Sequence, residues 1–227
     1  MTAIRYKVIL SRRRSISIIV SPDKSVTVRA PLRTSLKSIE RFVQLKSAWI
    51  QKHLNNNPGI KLANNDKKYV DGEIFLYLGK EYKLQKIVSA GQYVKLKGEL
   101  IEVGQEDLND TGRTRFLVVR WYILTARKDL TERLRDILNR NEELRFEPSN
   151  LVIRQLKSRW GSCSSKGKIT LNSELVKLDP VFIDYVIIHE LCHLKHHNHG
   201  PDFHKLLGEI IPEYKSLRKE LRKFLIR

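Results

Sequence analysis

Histidines are concentrated in one short segment of this sequence. Six of the seven lie between His189 and His204, and the first two of these six form the sequence His189-Glu-Leu-Cys-His193. Residues four apart lie on the same face of a helix, so two imidazole rings at this spacing can bind one metal ion. Glu190 lies at another angle of the helix and can take a proton from a water molecule on that metal. The pattern therefore indicates metal-assisted hydrolysis.

A zinc ion that catalyses a reaction usually has three protein ligands and one position open to water. The candidates for the third ligand are His196, His197, His199 and His204. We favour His199, because it follows His193 by six residues and precedes Gly200, which lets the chain turn back. His196 lies on the wrong turn, and His197 would require a continuous helical stripe of three histidines. We expect His204 on the next helix, where it faces the core or a cleft.

Three imidazoles with an open position favour zinc over other metals. The same histidines could instead form a structural zinc site without catalysis. Cys192 could offer a thiolate, but it points away from the face shared by His189 and His193, so we expect it to fill the core. Cys163 is expected to pack as well, with a reactive thiol near the cleft as the alternative. A cysteine nucleophile would leave Glu190 without a role.

The segment before the histidines predicts a buried helix. Val181 to Ile188 is apolar apart from Asp184, and Asp179-Pro180 is a typical helix start, with an N-cap residue followed by proline. Strands are predicted at 151–156 and 168–172, on either side of Trp160-Gly-Ser-Cys-Ser164. Together these elements predict a helix that packs on a small β-sheet.

The rest of the chain separates into two patterns. A long helix is predicted after Asp110-Thr-Gly112, and the tail from Pro201 is helical with an interruption near Pro212. Before residue 110 the sequence is rich in predicted strands, with a helix near 35–55 and a polar loop from Asn55 to Lys68. The predicted strands of this part lie at 6–10, 15–21, 25–30, 73–78, 81–87, 93–96 and 100–103. We therefore predict an α+β protein with a strand-rich domain of one helix, 1–110, and a second domain, 111–227.

Composition limits the classes of protein that this chain can belong to. There are 43 Lys and Arg residues against 25 Asp and Glu, a net charge of +18 that favours polyanionic partners such as nucleic acid. No run of eighteen apolar residues and no secretory signal are present, so we expect a cytoplasmic protein without a membrane span. Two cysteines are too few for a disulfide framework.

We expect Trp49 and Trp121 to pack in the core.

The sequence resembles the YgjP-like metallopeptidases, which are similar to the SprT-like and WLM zinc peptidases. The residues that carry the resemblance are Arg159-Trp160-Gly-Ser-Cys-Ser164, Ile169-Thr-Leu-Asn172, Tyr185-Val186, His189-Glu-Leu-Cys-His193, Asn198-His199-Gly-Pro-Asp-Phe203 and Pro212-Glu-Tyr-Lys215. A weaker resemblance extends from Ser11-Arg-Arg-Arg14 to Trp49. His204 is a departure, because the family often has an aromatic residue there, and this leaves open a fourth nitrogen near the metal.

The resemblance implies a zincin-like catalytic domain and a zinc-dependent peptidase that acts on proteins or peptides. His189, His193 and His199 would be the zinc ligands and Glu190 the general base. An extended substrate would pair with a strand near Trp160–Ser164 or Lys168–Asn172. Tyr214 would pack, with stabilisation of an oxyanion as the alternative. The competing hypotheses are a nucleic-acid-associated basic protein with a structural zinc, or, as in SprT-like relatives, a protease that acts on proteins bound to nucleic acid.

Overall fold

The structure is a computed structural model that describes residues 4–13, 15–20, 25–55, 60–61 and 67–225. It is an α+β protein, as predicted, with several small sheets and six α-helices among these residues. Most of the predicted loop from Asn55 to Lys68, and Arg14 of the predicted family segment, lie outside the described residues. The chain divides into two compact units, 1–60 and 61–227.

The first unit is a three-stranded sheet with two helices. The strands are β1 (Lys7–Ser11), β2 (Ser17–Val20) and β3 (Val26–Pro31), in the order β1-β3-β2, with β1 parallel and β2 antiparallel to β3. The helices are α1 (Leu36–Leu45) and α2 (Ser47–Asn55). Alternate residues of β3 are buried, as expected for a strand with one face on a core. Their core partners are Ile39, Val43 and Ile50.

Two predictions for this unit were wrong. The single helix predicted near 35–55 is two helices, because the backbone of Lys46 leaves the helical conformation (φ −102°, ψ 8°). Trp49 was expected in the core, but 42% of its surface is exposed, and it lines a shallow groove with Phe42. Trp121, by contrast, is packed against the core of the second unit, as predicted.

The next part of the chain forms a four-stranded sheet. After the short strand β4 (Ile60–Lys61), the strands are β5 (Ile74–Tyr77), β6 (Lys80–Val88), β7 (Tyr93–Lys97) and β8 (Leu100–Gln105). Their order is β5-β6-β8-β7, with β6 and β8 parallel and the other pairs antiparallel. Helix α3 (Thr111–Arg140) follows, and its N-cap Asp110 accepts a hydrogen bond from the Arg113 N–H, which satisfies one of the free donors at the helix start.

The predicted domain boundary at residue 110 differs from the division of the structure. Phe75, Leu84 and Ile101 of the four-stranded sheet are buried in the same core as α3. Tyr122 of α3 also donates a hydrogen bond to the carbonyl of Leu76, at 2.6 Å. This sheet therefore belongs to the second unit, because its apolar face has no core of its own.

The remaining elements surround the histidine segment. The strands β9 (Asn150–Arg154), β10 (Gly161–Cys163) and β11 (Lys168–Asn172) form a sheet in the order β10-β11-β9. The helices are α4 (Pro180–Cys192), α5 (Pro201–Ile210) and α6 (Tyr214–Leu221), so the predicted interruption near Pro212 is confirmed. The other elements in the described part of the chain are two 3₁₀ helices (Glu142–Leu144 and Ser173–Lys177) and the strand β12 (Phe224–Leu225). Among the described residues, no helix is both long enough and apolar enough to cross a membrane.

A charged pair is buried beneath α3, where the 3₁₀ helix 173–177 packs against it. Lys177 is 3% exposed; its ammonium donates to the carboxylate of Glu174 and lies 4.8 Å from the ring centroid of Tyr122. Burial lowers the pKa of Lys177, and the Glu174 carboxylate opposes that effect. The charge of each residue is therefore tolerated because the other one is present.

We expect Lys177→Met to destabilise the protein by about 3 kcal/mol, because it leaves the Glu174 carboxylate buried without its cation. The double substitution Glu174→Leu with Lys177→Met should recover most of this loss, since neither charge of the pair then remains. Urea unfolding followed by circular dichroism measures both. Equal destabilisation by the single and double substitutions would contradict this account of the pair.

Candidate metal centre

Helix α4 places the histidine segment inside the second unit. It begins as predicted: Asp179 accepts a hydrogen bond from the Val181 N–H, and Pro180 occupies the first turn. Its apolar residues are almost all buried. Asp184 interrupts this apolar sequence and is held by Arg133 of α3 through two hydrogen bonds, one from Nε to Oδ1 and one of 2.7 Å from Nη2 to Oδ2. The helix is thus fixed by packing and by a two-point ion pair.

His189 and His193 lie at the carboxyl end of α4. The helix ends at Cys192, His193 is its C-cap, and the ring centroids of the two histidines are 5.0 Å apart. The last carbonyl groups of a helix carry partial negative charge, so a cation is favoured at this end. The local backbone thus adds to the attraction of the two imidazoles for a metal ion.

His199 returns to the same place after a short turn. The chain turns at 193–195 and bends at 197–198 before it reaches His199, and the extended Gly200 (φ −76°, ψ −176°) is the N-cap of α5. The Nε2 atoms of His199 and His189 are 3.0 Å apart, and one donor atom from each of the three histidines lies within 4.8 Å of the others. Two nitrogens bound at roughly 2.0–2.1 Å in a tetrahedral zinc site lie about 3.3 Å apart. The spacing of His189 and His199 is therefore close to that of two ligands in a tetrahedral site.

The imidazoles are held in a form that can bind a cation. Nδ1 of His193 lies 3.1 Å from the carbonyl oxygen of His196; this oxygen can only accept, so Nδ1 carries a proton and Nε2 is the atom left to bind a metal ion. Burial, followed by the neighbouring imidazoles, lowers the pKa of His189 to about 3. The same two effects lower the pKa of His199. Neutral imidazole is the form that coordinates metal ions.

Phe203 of α5 forms the apolar floor of the cluster. It is fully buried, and its ring centroid is 5.0, 4.7 and 4.7 Å from those of His189, His193 and His199. A ring that contacts all three imidazoles restricts their rotation and excludes water behind them. The sequence pattern did not assign this role, because nothing in it shows that position 203 faces the histidines.

Glu190 lies on the side of α4 that faces β10. It is 5% exposed, and burial raises the pKa of its carboxyl to about 7, against the opposing effects of the Arg159 guanidinium and a hydrogen bond from the backbone of Cys163. One oxygen, Oε2, is buried without a partner among the described residues. A buried polar atom of this kind needs a partner that is not part of the chain, such as water.

Gly161 allows Glu190 to reach this position. A Cβ at residue 161 would lie 2.7 Å from Oε1 and 2.8 Å from Cγ of Glu190, closer than real Cβ contacts. The carboxylate therefore packs directly against the backbone of β10. Sequence reasoning placed Gly161 in the family motif but did not connect it with Glu190.

Asn172 fixes the segment that leads into β10. Its side-chain amide donates to the carbonyls of Leu156 and Arg159, each at 3.0 Å, and its backbone N–H donates to the carbonyl of Trp160 at 2.8 Å. Asn172 is completely buried at the end of β11. Three carbonyls of the adjoining loop thus depend on one residue.

The other candidate residues do not belong to the group of three converging donors, although the ring centroid of His204 lies 6.3 Å from that of His199. His197 is exposed, and His196 contributes its carbonyl oxygen. His204 lies on α5 and stacks on buried Tyr214, with centroids 5.8 Å apart and planes at 18°. Cys192 is fully buried, and burial raises its pKa to about 12.

Cys163, on β10, is half-buried, and burial together with the carboxylate of Glu190 raises the pKa of its thiol. Both cysteines are therefore held as thiols, which are poor nucleophiles and poor ligands. Neither cysteine belongs to the cluster of described donor residues that converge on one point.

The residues of this centre fit a divalent metal ion. Three nitrogen donors converge from the end of α4 and the start of α5, and the buried carboxylate of the neighbouring Glu190 has an oxygen without a partner among the described residues. Nitrogen donors in this number and arrangement suit zinc, with a coordination position left for a small molecule. A carboxylate next to three such donors, without converging with them, is an arrangement that metal-assisted hydrolysis can use.

The match to a known family agrees with this chemistry. The model of the YgjP-like metallopeptidase domain matches residues 14–224. The search of solved structures found the metallopeptidase zymogen jannalysin of Methanocaldococcus jannaschii, 27% identical, with a TM-score of 0.37 over 42% of this chain and 95% of the other. It also found the metallopeptidase zymogen abylysin of Pyrococcus abyssi, 29% identical, with a TM-score of 0.34 over 41% and 90%. The search of curated proteins gave no match.

We expect the protein purified without added metal to contain about one zinc ion per chain, because three imidazoles define one site. Elemental analysis measures this content. The double substitution His189→Ala with His193→Ala should remove the metal, whereas His197→Ala, which alters an exposed histidine outside the cluster, should retain it. Metal that persists after loss of His189 and His193 would mean that these residues do not form the site.

Proposed function

The chain belongs to the YgjP-like metallopeptidase family, and on that premise we propose that it is a zinc endopeptidase that uses Glu190 as general base. In this proposal His189, His193 and His199 hold the zinc ion. The observation that carries it is the convergence of the three donors within 4.8 Å next to a buried carboxylate with an unpartnered oxygen. This combination supplies a metal site and a proton acceptor in one place.

When bound, zinc would polarise the carbonyl of the scissile peptide bond and make water more acidic. Glu190 would take the proton from the attacking water and return it to the amine that leaves. Its pKa near 7 suits both directions of transfer, because the carboxyl can accept and release a proton near neutral pH. Gly161 and the backbone of Cys163 would hold the carboxylate in position during these transfers.

An extended substrate would bind along β10. The sequence left two segments open for this role, but β11 is the central strand of its sheet and pairs on both sides, with β10 and β9. Strand β10 is an edge strand of that sheet and lies against α4, so its outer edge adjoins Glu190. Backbone hydrogen bonds to such an edge hold any extended chain, which favours cleavage within proteins and weak sequence selectivity.

The net charge of +18 supports a second candidate function, the cleavage of proteins that are bound to nucleic acid. In that case the protein should bind duplex DNA with an affinity that falls steeply as salt increases, because phosphate binding releases counterions. Fluorescence anisotropy over a salt series measures this. Absence of binding at low salt would remove the second candidate without affecting the first.

We expect Glu190→Gln to lower the rate of hydrolysis of labelled casein by about 10²–10⁴-fold, the range typical of a lost acid–base group, without loss of zinc. Glutamine has nearly the same shape but cannot accept the proton. Glu132→Gln, which alters an exposed carboxylate on α3, is the matched control and should leave the rate unchanged. Undiminished hydrolysis by Glu190→Gln would refute the mechanism, and loss of zinc would place Glu190 among the ligands.

A peptide blocked at both ends distinguishes internal from terminal cleavage. An endopeptidase should cut it, and mass spectrometry of the products then locates the bond. If only unblocked peptides were cut, the enzyme would be an exopeptidase, and the proposal that it cleaves within an extended chain bound along β10 would be wrong.

We expect Gly161→Ala to lower the same activity at least tenfold with zinc content unchanged, because the new methyl group would displace the Glu190 carboxylate. Gly91→Ala is the matched control, since the nearest atom to its Cβ would be 3.9 Å away. The thermal midpoint should be compared for both variants. Full activity of Gly161→Ala would show that β10 does not position Glu190.

A further inference from the structure

The first half of α3 exposes a row of large apolar side chains. Phe116 and Leu124 are about half exposed, at 51% and 52%, and Val119 and Ile123 are 37% and 36% exposed. These residues line one groove with a volume of about 610 Å³. The groove extends from Gly112 to Arg127, about 22 Å along the helix at 1.5 Å per residue.

The core of the protein does not require these side chains. The opposite face of the same helix supplies the core with Leu117, Val118, Tyr122 and Ala126, all of which are buried. The first half of α3 is thus apolar on two faces, and only one of them is covered. A continuous apolar patch on a protein surface commonly marks an interaction site.

The charged residues that line the groove are all basic. Residues 111–128 contain four arginines and one lysine and no acidic residue. Arg115, Arg120 and Arg127 line the groove together with the apolar side chains. The guanidinium of Arg113 lies 5.1 Å from the ring centroid of Phe116, so a further cation borders the apolar row. The partner of this face must therefore be apolar in the middle and negative at its edges.

We propose that this face binds an amphipathic acidic helix of a partner protein. A helix laid along the groove would place apolar residues, spaced three and four apart, against Phe116, Val119 and Ile123. Its carboxylates, on either side of that stripe, would meet Arg115, Arg120 and Arg127. The length of about 22 Å accommodates four turns of such a helix.

Nucleic acid fits this face less well. Its phosphates would meet the arginines, but a duplex would leave Phe116, Val119, Ile123 and Leu124 against a charged backbone. A second copy of the chain also fits poorly, because both copies would present the same basic surface at this site. The inference does not depend on the proposed peptidase function, since none of its residues belongs to the metal centre.

The proposal can be tested by fluorescence anisotropy with a labelled acidic peptide of about 18 residues, with leucines at helical spacing and glutamates on both flanks. A peptide of the same composition with its helical periodicity scrambled is the ligand control. We expect the amphipathic peptide to bind at least tenfold more tightly than the scrambled one. Leu124→Ser and Arg120→Glu should each weaken binding at least tenfold, whereas Val88→Ser and Lys83→Glu, which alter exposed residues of β6, should not.

Thermal unfolding checks that the variants fold. Because the altered side chains are exposed, the midpoints of Leu124→Ser and Arg120→Glu should match the midpoint of the unaltered protein. Equal affinity for the two peptides, no binding of either, or binding that is insensitive to the groove substitutions would overturn the proposal. A preference of the groove for a DNA duplex or for phosphatidylserine vesicles over the amphipathic peptide would also overturn it. In that case Leu124→Ser and Arg120→Glu would weaken binding of the duplex or the vesicles.

Discussion

The burial of one apolar helix is the constraint on which the metal centre depends. Most residues of α4 are buried within the second unit, whereas His189 near its carboxyl end is only partly buried. His189 and His193 lie at the carboxyl end, so their backbone positions are fixed by the same packing that stabilises the core. The surrounding elements each contribute a restraint: α3 holds Asp184, α5 supplies Phe203, and β10 receives Glu190. The chemistry is therefore built on a rigid element.

Burial also determines the protonation of the site. Removal from water penalises charge on every group, so His189 and His199 are neutral and Glu190 has a raised pKa. The two effects act together: neutral imidazoles can bind a cation, and a carboxyl that titrates near neutrality can exchange a proton. Gly161 is part of this balance, because its missing side chain lets the carboxylate lie against β10, out of water but beside the donors.

The sequence predicted the elements whose signals are local. The N-cap Asp179, Pro180 and the apolar run after them predicted α4. The spacing of His199 after His193 led to its choice as the third donor, although the chain turns before His199 and not at Gly200 as expected. What the sequence did not predict depends on contacts between distant residues. Gly161 and Glu190 are 29 positions apart, and nothing in either segment indicates that they touch. Likewise, the sheet β5–β8 joins the second unit because Phe75 and Ile101 share a core with α3, which alternation within each strand cannot reveal.

Helix α3 connects the proposed docking face with the catalytic helix. Its first half carries the groove, and its second half holds α4 through Arg133 and Asp184. Buried residues from Thr114 to Ile137 line its inner face, so the helix is packed over nearly its whole length. A helix packed in this way does not carry a conformational change from the groove to α4. A ligand shifts an equilibrium only between states that it binds differently. A partner bound to the groove would therefore act by raising the local concentration of a substrate near β10, and the distance between the two sites would set how long a tether the substrate needs.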